Sequence, residues 1–254
     1  KDQKGELENQ RVVGSVNISC GECYMCEMGI EKHCRNMKAI GMRDRDGAFA
    51  EYMTLPRENI YTVPEEISDR EAVLVEPLAA GVEIIEENHI KPTDEVVILG
   101  DGKLGHSIAR VLWAAEKDPI LIGKHQNKLD RVAELGIDTY LLGNYQGPAD
   151  YVVECTGSSS GLQTALDLIR PQGTIVLKTT TADLNDINMS KVAVDEIEIV
   201  GSRCGPFAPT LKMMENNELV LDKMIDDVYD FKDSLKAFKR AKESEILKVL
   251  LKIN

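Results

Sequence analysis

The sequence has no apolar run approaching the roughly 20 residues that a helix needs to cross a bilayer. It is also short of positive charge: 30 Lys and Arg stand against 43 Asp and Glu, a net charge of −13. A chain that binds a phosphate backbone needs a basic face, so no nucleic acid and no anionic membrane surface is expected as a partner. The first residues, Lys1-Asp2-Gln3-Lys4-Gly5-Glu6, are too polar for a signal peptide. No internal repeat and no low-complexity linker interrupts the 254 residues. What is present is 43% hydrophobic content, enough to bury a core and to argue against wholesale disorder. The expectation is a soluble, cytoplasmic protein of one large or two small domains.

Four of the six cysteines, Cys20, Cys23, Cys26 and Cys34, lie within fifteen residues in the spacing C-x2-C-x2-C-x7-C. Such short loops make two unstrained disulfides difficult, and a chain without a signal peptide sits in a reducing compartment. Four thiolates wrapped around one point suit a tetrahedral zinc with every position filled, hence a structural metal. Gly21 and Gly29 allow the tight turns between ligands. An iron–sulfur cluster also uses C-x2-C-x2-C, but its fourth cysteine follows after three residues and precedes proline. Here the gap is seven and Arg35 follows. Unliganded thiols remain a third reading. His33 could replace Cys34 but reads better as solvated, and Cys155 and Cys204 as small core residues.

The second signal begins at Val96-Val97-Ile98-Leu99, an all-apolar run typical of a strand buried on both faces. It leads into Gly100-Asp101-Gly102-Lys103-Leu104-Gly105, after which Ile108, Val111, Leu112 and Ala115 recur at helical spacing. Strand, G-x-G-x-x-G and helix together are the dinucleotide-binding fingerprint. Gly100 serves the turn, Gly102 the approach of a pyrophosphate, and Gly105 the close packing of helix on strand. Lys103 and Leu104 open the helix, whose free N–H groups favour an anion. A ligand-free glycine turn is the bland alternative.

The next apolar run, Pro119-Ile120-Leu121-Ile122, ends in Gly123-Lys124-His125 rather than in the Asp or Glu that binds the ribose hydroxyls of NAD. With no acid at that point, and Lys124, His125 and Lys128 able to attract a 2′-phosphate, NADP(H) is favoured over NAD(H). Lys124 and Lys128 also fit as solvated charges at a helix start.

Alternation continues to the end of this region. Helices are expected near 128–135 and 162–169, the second stopped by Pro171-Gln172-Gly173. Strands are expected at 139–142, 151–154, 174–177 and 197–200. With the two already described these make six, enough for an α/β, doubly wound parallel (Rossmann) sheet.

A zinc lobe followed by a nucleotide fold resembles the zinc-dependent medium-chain dehydrogenases, the superfamily of alcohol, sorbitol and threonine dehydrogenases. The stretch 20–34 is similar to that family's structural-zinc loop. Gly47-Ala48-Phe49-Ala50-Glu51-Tyr52 resembles the strand after it, and Glu76-Pro77-Leu78-Ala79-Ala80 the segment at the domain junction. Gly201-Ser202-Arg203-Cys204-Gly205 resembles the turn near the nicotinamide. The resemblance spans essentially the whole chain. It implies a partial GroES-like β domain over 1–75, a nucleotide domain over 76–215, and a return to the first domain over 216–254. The active cleft then lies between the domains.

The resemblance also implies site roles. Thr156 and Gly157 correspond to the ribose side of the coenzyme, and Leu177, Lys178, Thr179, Ser202, Arg203 and Cys204 to nicotinamide contacts. Lys248 matches a basic residue that reaches the pyrophosphate from the other domain. For each, surface charge or core packing is the competing reading. Family members carry, before the point matched by Lys1, a Cys and a His-Glu pair that hold a catalytic zinc. None of His33, His89, His106 or His125 matches those positions, and Gln10-Arg11-Val12-Val13 already resembles the strand before the zinc loop. Glu76 is the remaining catalytic candidate, beside the family's catalytic metal, or else a helix-start carboxylate in a structural hydrogen bond. One structural zinc is expected in these residues, and a second, catalytic zinc only with the preceding segment.

The implied activity is hydride transfer between an alcohol or polyol carbon and nicotinamide, with zinc as Lewis acid on the alcohol oxygen, while these 254 residues by themselves are expected to bind nucleotide with little or no alcohol oxidation. The substrate is a small alcohol or carbonyl compound, and a homodimer or homotetramer is the expected assembly. Two alternatives stand: a non-catalytic, zinc-stabilised nucleotide-binding fragment, and a zinc-free NADPH reductase of the quinone reductase type.

Overall fold

The computed structural model describes residues 5–182 and 187–253; the polar start at residues 1–4 lies outside the described residues. Four short strands come first: β1 (Val12–Gly14), β2 (Asn17–Ile18), β3 (Lys38–Ala39) and β4 (Ile60–Thr62). β1 pairs antiparallel with β4, and β2 with β3. Between β2 and β3 the cysteine-bearing chain makes one helical turn, α1 (Tyr24–Glu27).

Residues 47–52, expected as a strand, are irregular. A strand needs a hydrogen-bonded neighbour, and among the described residues none lies beside them. Tyr52 is exposed, and the Phe49 ring meets Phe238 edge-on with centroids 5.3 Å apart.

A capping box starts α2 (Asp69–Ala72): the Ser68 amide donates to Glu71 Oε2 at 2.8 Å, and the Glu71 amide to Ser68 Oγ at 3.2 Å. Next comes α3 (Val75–Glu87), with Pro77 in its first turn, where a missing N–H costs nothing.

The central sheet and its helices follow: β5 (Val96–Leu99), α4 (Lys103–Ala114), β6 (Ile120–Gly123), α5 (Gln126–Ala133), β7 (Asp138–Leu141), β8 (Ala149–Glu154), α6 (Gly161–Leu168), β9 (Ile169–Leu177), α7 (Met189–Val194) and β10 (Glu198–Gly201). All six strands run parallel in the order β10-β9-β8-β5-β6-β7. Val96 and Ile98 pack with Ile108 and Leu112 on one face, while Val97 and Leu99 pack with Leu162 and Leu166 on the other. Each such fully buried side chain contributes about 1.5–3 kcal/mol, which explains why this strand carries no polar residue. The strand order reverses beside β5, so the crevice at its C-terminal end is where a ligand belongs.

One boundary differs from expectation. Strand β9 begins at Ile169, directly after α6, and runs through Pro171-Gln172-Gly173 instead of starting after them. The pairing of β8 with β9 shifts register between Ala149 and Tyr151, an irregularity of the kind that accommodates a proline.

The chain closes with α8 (Phe207–Glu215), β11 (Asp227–Asp230), α9 (Ser234–Arg240) and β12 (Val249–Lys252), the last two strands pairing parallel. Leu78, Val82, Phe207, Leu211 and Met214 join α3 and α8 in one core with Val63 and Ile67 from the first part of the chain.

Candidate functional site: a cysteine cluster and a glycine-lined cleft

Cys20 follows β2, Cys23 precedes α1, Cys26 lies within it, and Cys34 ends a tight turn over Glu31–His33. All four Sγ atoms lie within 4.8 Å of one another. The closest pairs are Cys20–Cys34 at 3.5 Å, Cys23–Cys26 at 3.6 Å and Cys23–Cys34 at 3.8 Å. A tetrahedron of zinc–sulfur bonds of about 2.3 Å has sulfur–sulfur edges of about 3.8 Å. The donor set therefore fits one zinc ion. Disulfide bonding requires about 2.05 Å, and all six cysteines are free. The Cys20 amide also donates to Cys34 Sγ at 3.3 Å, a contact that stabilises thiolate charge. His33 is not among the gathered ligands.

The zinc lobe is tied to the nucleotide-binding part through charge. Lys32 bridges Glu83 and Glu87 on α3. The Ser202 hydroxyl donates to Glu87 Oε2 at 3.2 Å and accepts from Lys178 Nζ at 2.7 Å. Lys178 also donates to the Arg203 carbonyl at 3.0 Å. Burial pushes this ammonium down to about 8.

At the C-terminal end of β5 the chain turns through Gly100, whose φ is +129°. A Cβ there would lie 2.9 Å from the Cys155 carbonyl, and one at Gly105 would lie 1.8 Å from the Gly100 oxygen. Both positions therefore have to be glycine. At Gly102 a Cβ would meet nothing within 4 Å. The loop is thus packed on its inner side and open on its outer side, and α4 starts there with no side-chain cap on its free amides. That is the cradle a diphosphate requires. A cavity of about 410 Å³ opens beside it, lined by Asp101, Gly102, Gly123, His125, Lys128 and Thr156 among others.

The remaining expected residues are distributed around this cavity. Lys124 lines it from the exposed side, and Lys103 is exposed at the start of α4. Leu104 instead packs against the sheet core. The Gly157 amide donates to Thr179 Oγ1 at 3.0 Å, joining the ends of β8 and β9. Leu177 ends β9 and Lys178 follows it, and Ser202 and Arg203 follow β10, outside the lining of the 410 Å³ cavity. Lys248 precedes β12, and burial, then Lys103, push its ammonium down to about 8, with Glu76 acting in the opposite sense. Glu76 lies in the first turn of α3, exposed, lining a second cavity of about 370 Å³ with Lys32, Asn59 and Cys204. Its carboxylate makes no hydrogen bond among the described residues, so the helix-start structural bond is not formed there.

Two features were not foreseen. Glu243 and Ser244, from the segment after α9, line the 410 Å³ cavity. No sequence pattern marks them. The other is Asp101, whose carboxylate accepts from the amides of Lys124 and His125 at 2.6 and 2.7 Å. The end of β6 lacks an acid of its own, yet the fold delivers one from the glycine loop. A charged residue inside G-x-G-x-x-G, opposite a glycine at the strand end, was the available signal.

Residues 3–65 match the alcohol dehydrogenase GroES-like domain, and residues 102–218 match the zinc-binding dehydrogenase family. A sorbitol dehydrogenase of Halalkalibacterium halodurans is 29% identical over 95% of this chain and 76% of its own length. A putative zinc-binding dehydrogenase from Sinorhizobium meliloti, solved with NADP, superposes with a TM-score of 0.84 at 25% identity, over 95% of this chain and 76% of that one. An Escherichia coli alcohol dehydrogenase solved with NADH gives 0.88 at 23% identity, over 96% of this chain and 77% of that one.

A parallel nucleotide-binding sheet, a GroES-like part and a four-cysteine zinc loop define a zinc-binding, NAD(P)-dependent oxidoreductase. The two models together span most of the chain, which belongs to the zinc-dependent medium-chain dehydrogenase family, whose alcohol dehydrogenase members use NAD(P). Among the described residues, no helix is long and apolar enough to cross a membrane.

Proposed function

We propose that the chain binds NAD(H) or NADP(H) across the end of β5 for oxidation of a polyol or reduction of its carbonyl counterpart. The observation that carries this reading is the glycine loop, closed by packing on one side and open at Gly102 on the other. The open side faces a cavity large enough for the adenosine half of a dinucleotide. Gly100, Gly102 and Gly105 would shape the diphosphate site, with the amides of α4 as donors and Lys103 and Lys248 as countercharges. Thr156 and Gly157 would border the ribose, and Leu177, Arg203 and the turn at Ser202 the nicotinamide. The coenzyme supplies the hydride acceptor.

Glu76 would stand at the substrate end of the cleft, in the cavity it lines together with Lys32, Asn59 and Cys204. The polyol class is supported by the likeness to a sorbitol dehydrogenase. Among the described residues the four cysteines are the gathered ligand set, and Glu76 stands apart from them, so no step is assigned to a second metal. The working division is 1–75 and 216–254 as the GroES-like part and 76–215 as the nucleotide domain. A homodimer or homotetramer built on the free edge of β10 is proposed as the assembly.

The test is a titration of the purified chain with NADH and NADPH, followed by nucleotide fluorescence, alongside a polyol panel assayed for coenzyme reduction. Saturable coenzyme binding is expected. No binding of either coenzyme at millimolar concentration would contradict the reading.

A further inference from the structure

Strand β6 ends in Gly123. A Cβ built on that glycine would lie 2.4 Å from both Cβ and Oδ2 of Asp101 and 2.6 Å from its Cγ. Asp101 therefore occupies the very volume that a side chain at the strand end would fill. In NAD-binding folds that volume holds an Asp or Glu, which receives the hydroxyls of the adenosine ribose.

We propose that Asp101, supplied by the glycine loop, replaces the missing strand-end acid and selects NAD(H) over NADP(H). The proposal rests on the coenzyme reading above and specifies its ribose site. Three observations support it. First, the carboxylate is fixed: Oδ2 accepts from the Lys124 and His125 amides at 2.6 and 2.7 Å. Second, those two amides, at the start of α5, are the donors that would greet a 2′-phosphate, and an internal anion already holds them. Third, Asp101 lines the 410 Å³ cavity, and among the described residues Oδ1 has only the His125 ring, at 3.2 Å, as a partner. One carboxylate oxygen therefore remains able to accept from ribose hydroxyls. A 2′-phosphate entering the same volume would meet like charge with its donors taken, and like-charge contacts in a partly desolvated site are strongly unfavourable.

Lys124, His125 and Lys128, which by sequence favour a 2′-phosphate, take another place in this arrangement. Lys124 and His125 contribute their amides to Asp101, and the His125 ring lies 3.0 Å from Oδ2. Lys128 is buried and lines the cavity, but it is Asp101, not Lys128, that abuts Gly123. The volume at the strand end is thus held by an acid, with Lys124 and Lys128 on the cavity around it.

Equilibrium binding of NADH and NADPH, read by nucleotide fluorescence on the wild type and on Asp101→Asn, tests the proposal. The asparagine oxygen still accepts from the two amides, so the turn keeps its cap while the charge is lost. NADH is expected to bind the wild type at least about tenfold more tightly than NADPH, and Asp101→Asn to shrink that ratio to about threefold or less. Equal or tighter binding of NADPH to the wild type would overturn the proposal, whatever the variant does. So would an unchanged ratio in a variant with wild-type circular dichroism. If the variant does not fold, the wild-type ratio decides, and AMP against adenosine 2′,5′-bisphosphate as competitors for NADH repeats the comparison. Binding of neither coenzyme would overturn the coenzyme reading together with the proposal, a result distinct from equal binding of both.

Discussion

The Lys178 ammonium donates to the Ser202 hydroxyl at 2.7 Å, tying the end of β9 to the turn that follows β10. Through Ser202 the link continues to Glu87 on α3, and from there to Lys32 in the zinc lobe. Lys178 is therefore a brace between two strand ends. Replacing it with methionine removes two charge-assisted bonds and leaves the Ser202 hydroxyl and Arg203 carbonyl short of a donor. At pH 7 the loss of these bonds is offset by removal of a buried charge, so the variant's diagnostic change is in the pH dependence of its stability, measured by urea unfolding. The sign of the pH effect follows from burial. The folded ammonium releases its proton near 8, and the ordinary lysine value is 10.5. Between these values the unfolded chain holds more protons, so this lysine makes stability rise with pH across that window. The methionine variant should lack that contribution; parallel stability curves for variant and wild type between pH 8 and 10.5 would contradict the buried, depressed lysine.

In the proposed coenzyme site, Lys248 should give binding a pH signature. Burial and Lys103 push it down to about 8 in the free protein. A diphosphate beside it would favour the charged form and raise that value. Affinity should then fall as pH rises above about 8, with proton uptake on binding. Calorimetry in buffers of different ionisation enthalpy measures this uptake. A Lys248→Met variant should bind more weakly at pH 7 and lose the pH dependence.

His106 probes the underside of the same loop. It is fully buried, its Nδ1 lies 3.3 Å from Arg110 Nη1, and its Nε2 lacks a hydrogen-bond partner among the described residues. Burial first, then the charge of Arg110, push it down to about 3, so the folded protein holds it neutral at the ordinary histidine value of 6.5. The unfolded chain binds a proton below that value, so this histidine costs stability progressively as pH falls from 6.5 towards 3. His106→Leu should lose stability less steeply in that window, by up to about 1.4 kcal/mol per pH unit. Parallel acid-unfolding curves would contradict the assignment.

Zinc content tests the cysteine cluster. Elemental analysis should find one zinc per chain in the loop, and Cys34→Ser should lose it, because the filled tetrahedral shell needs all four thiolates. The freed loop should become a proteolysis site within residues 20–34. Retention of the metal by the serine variant would contradict the four-ligand site.

The parts legible in the sequence were those with short, local causes. Val96 to Leu99 reads as a two-face buried strand because nothing polar could sit there, and the structure buries it on both sides. The cysteine spacing sufficed for the zinc loop because all its ligands fall within one turn of chain. Residues 47–52 failed as a strand because strand formation depends on a neighbour that local pattern does not contain. The start of β9 was missed because pairing with β8 carries the chain through Pro171, against local preference. Asp101 escaped for a related reason. Its meaning lies in a contact across 23 residues with the Lys124 amide, and only the superposition of loop and strand end reveals it.

In the proposed site, main-chain amides at the glycine loop clasp a diphosphate through the open side of Gly102. This glycine has φ −79° and ψ 179°, a backbone any residue can adopt, and a Cβ there touches nothing within 4 Å. Gly102→Val should therefore fold normally while placing its methyl groups where the pyrophosphate approaches. Titration of both proteins with NADH is the most direct test. Saturable binding by the wild type and a loss of at least about tenfold in the folded valine variant are expected. Equal affinity of the two proteins for NADH would contradict the proposed site.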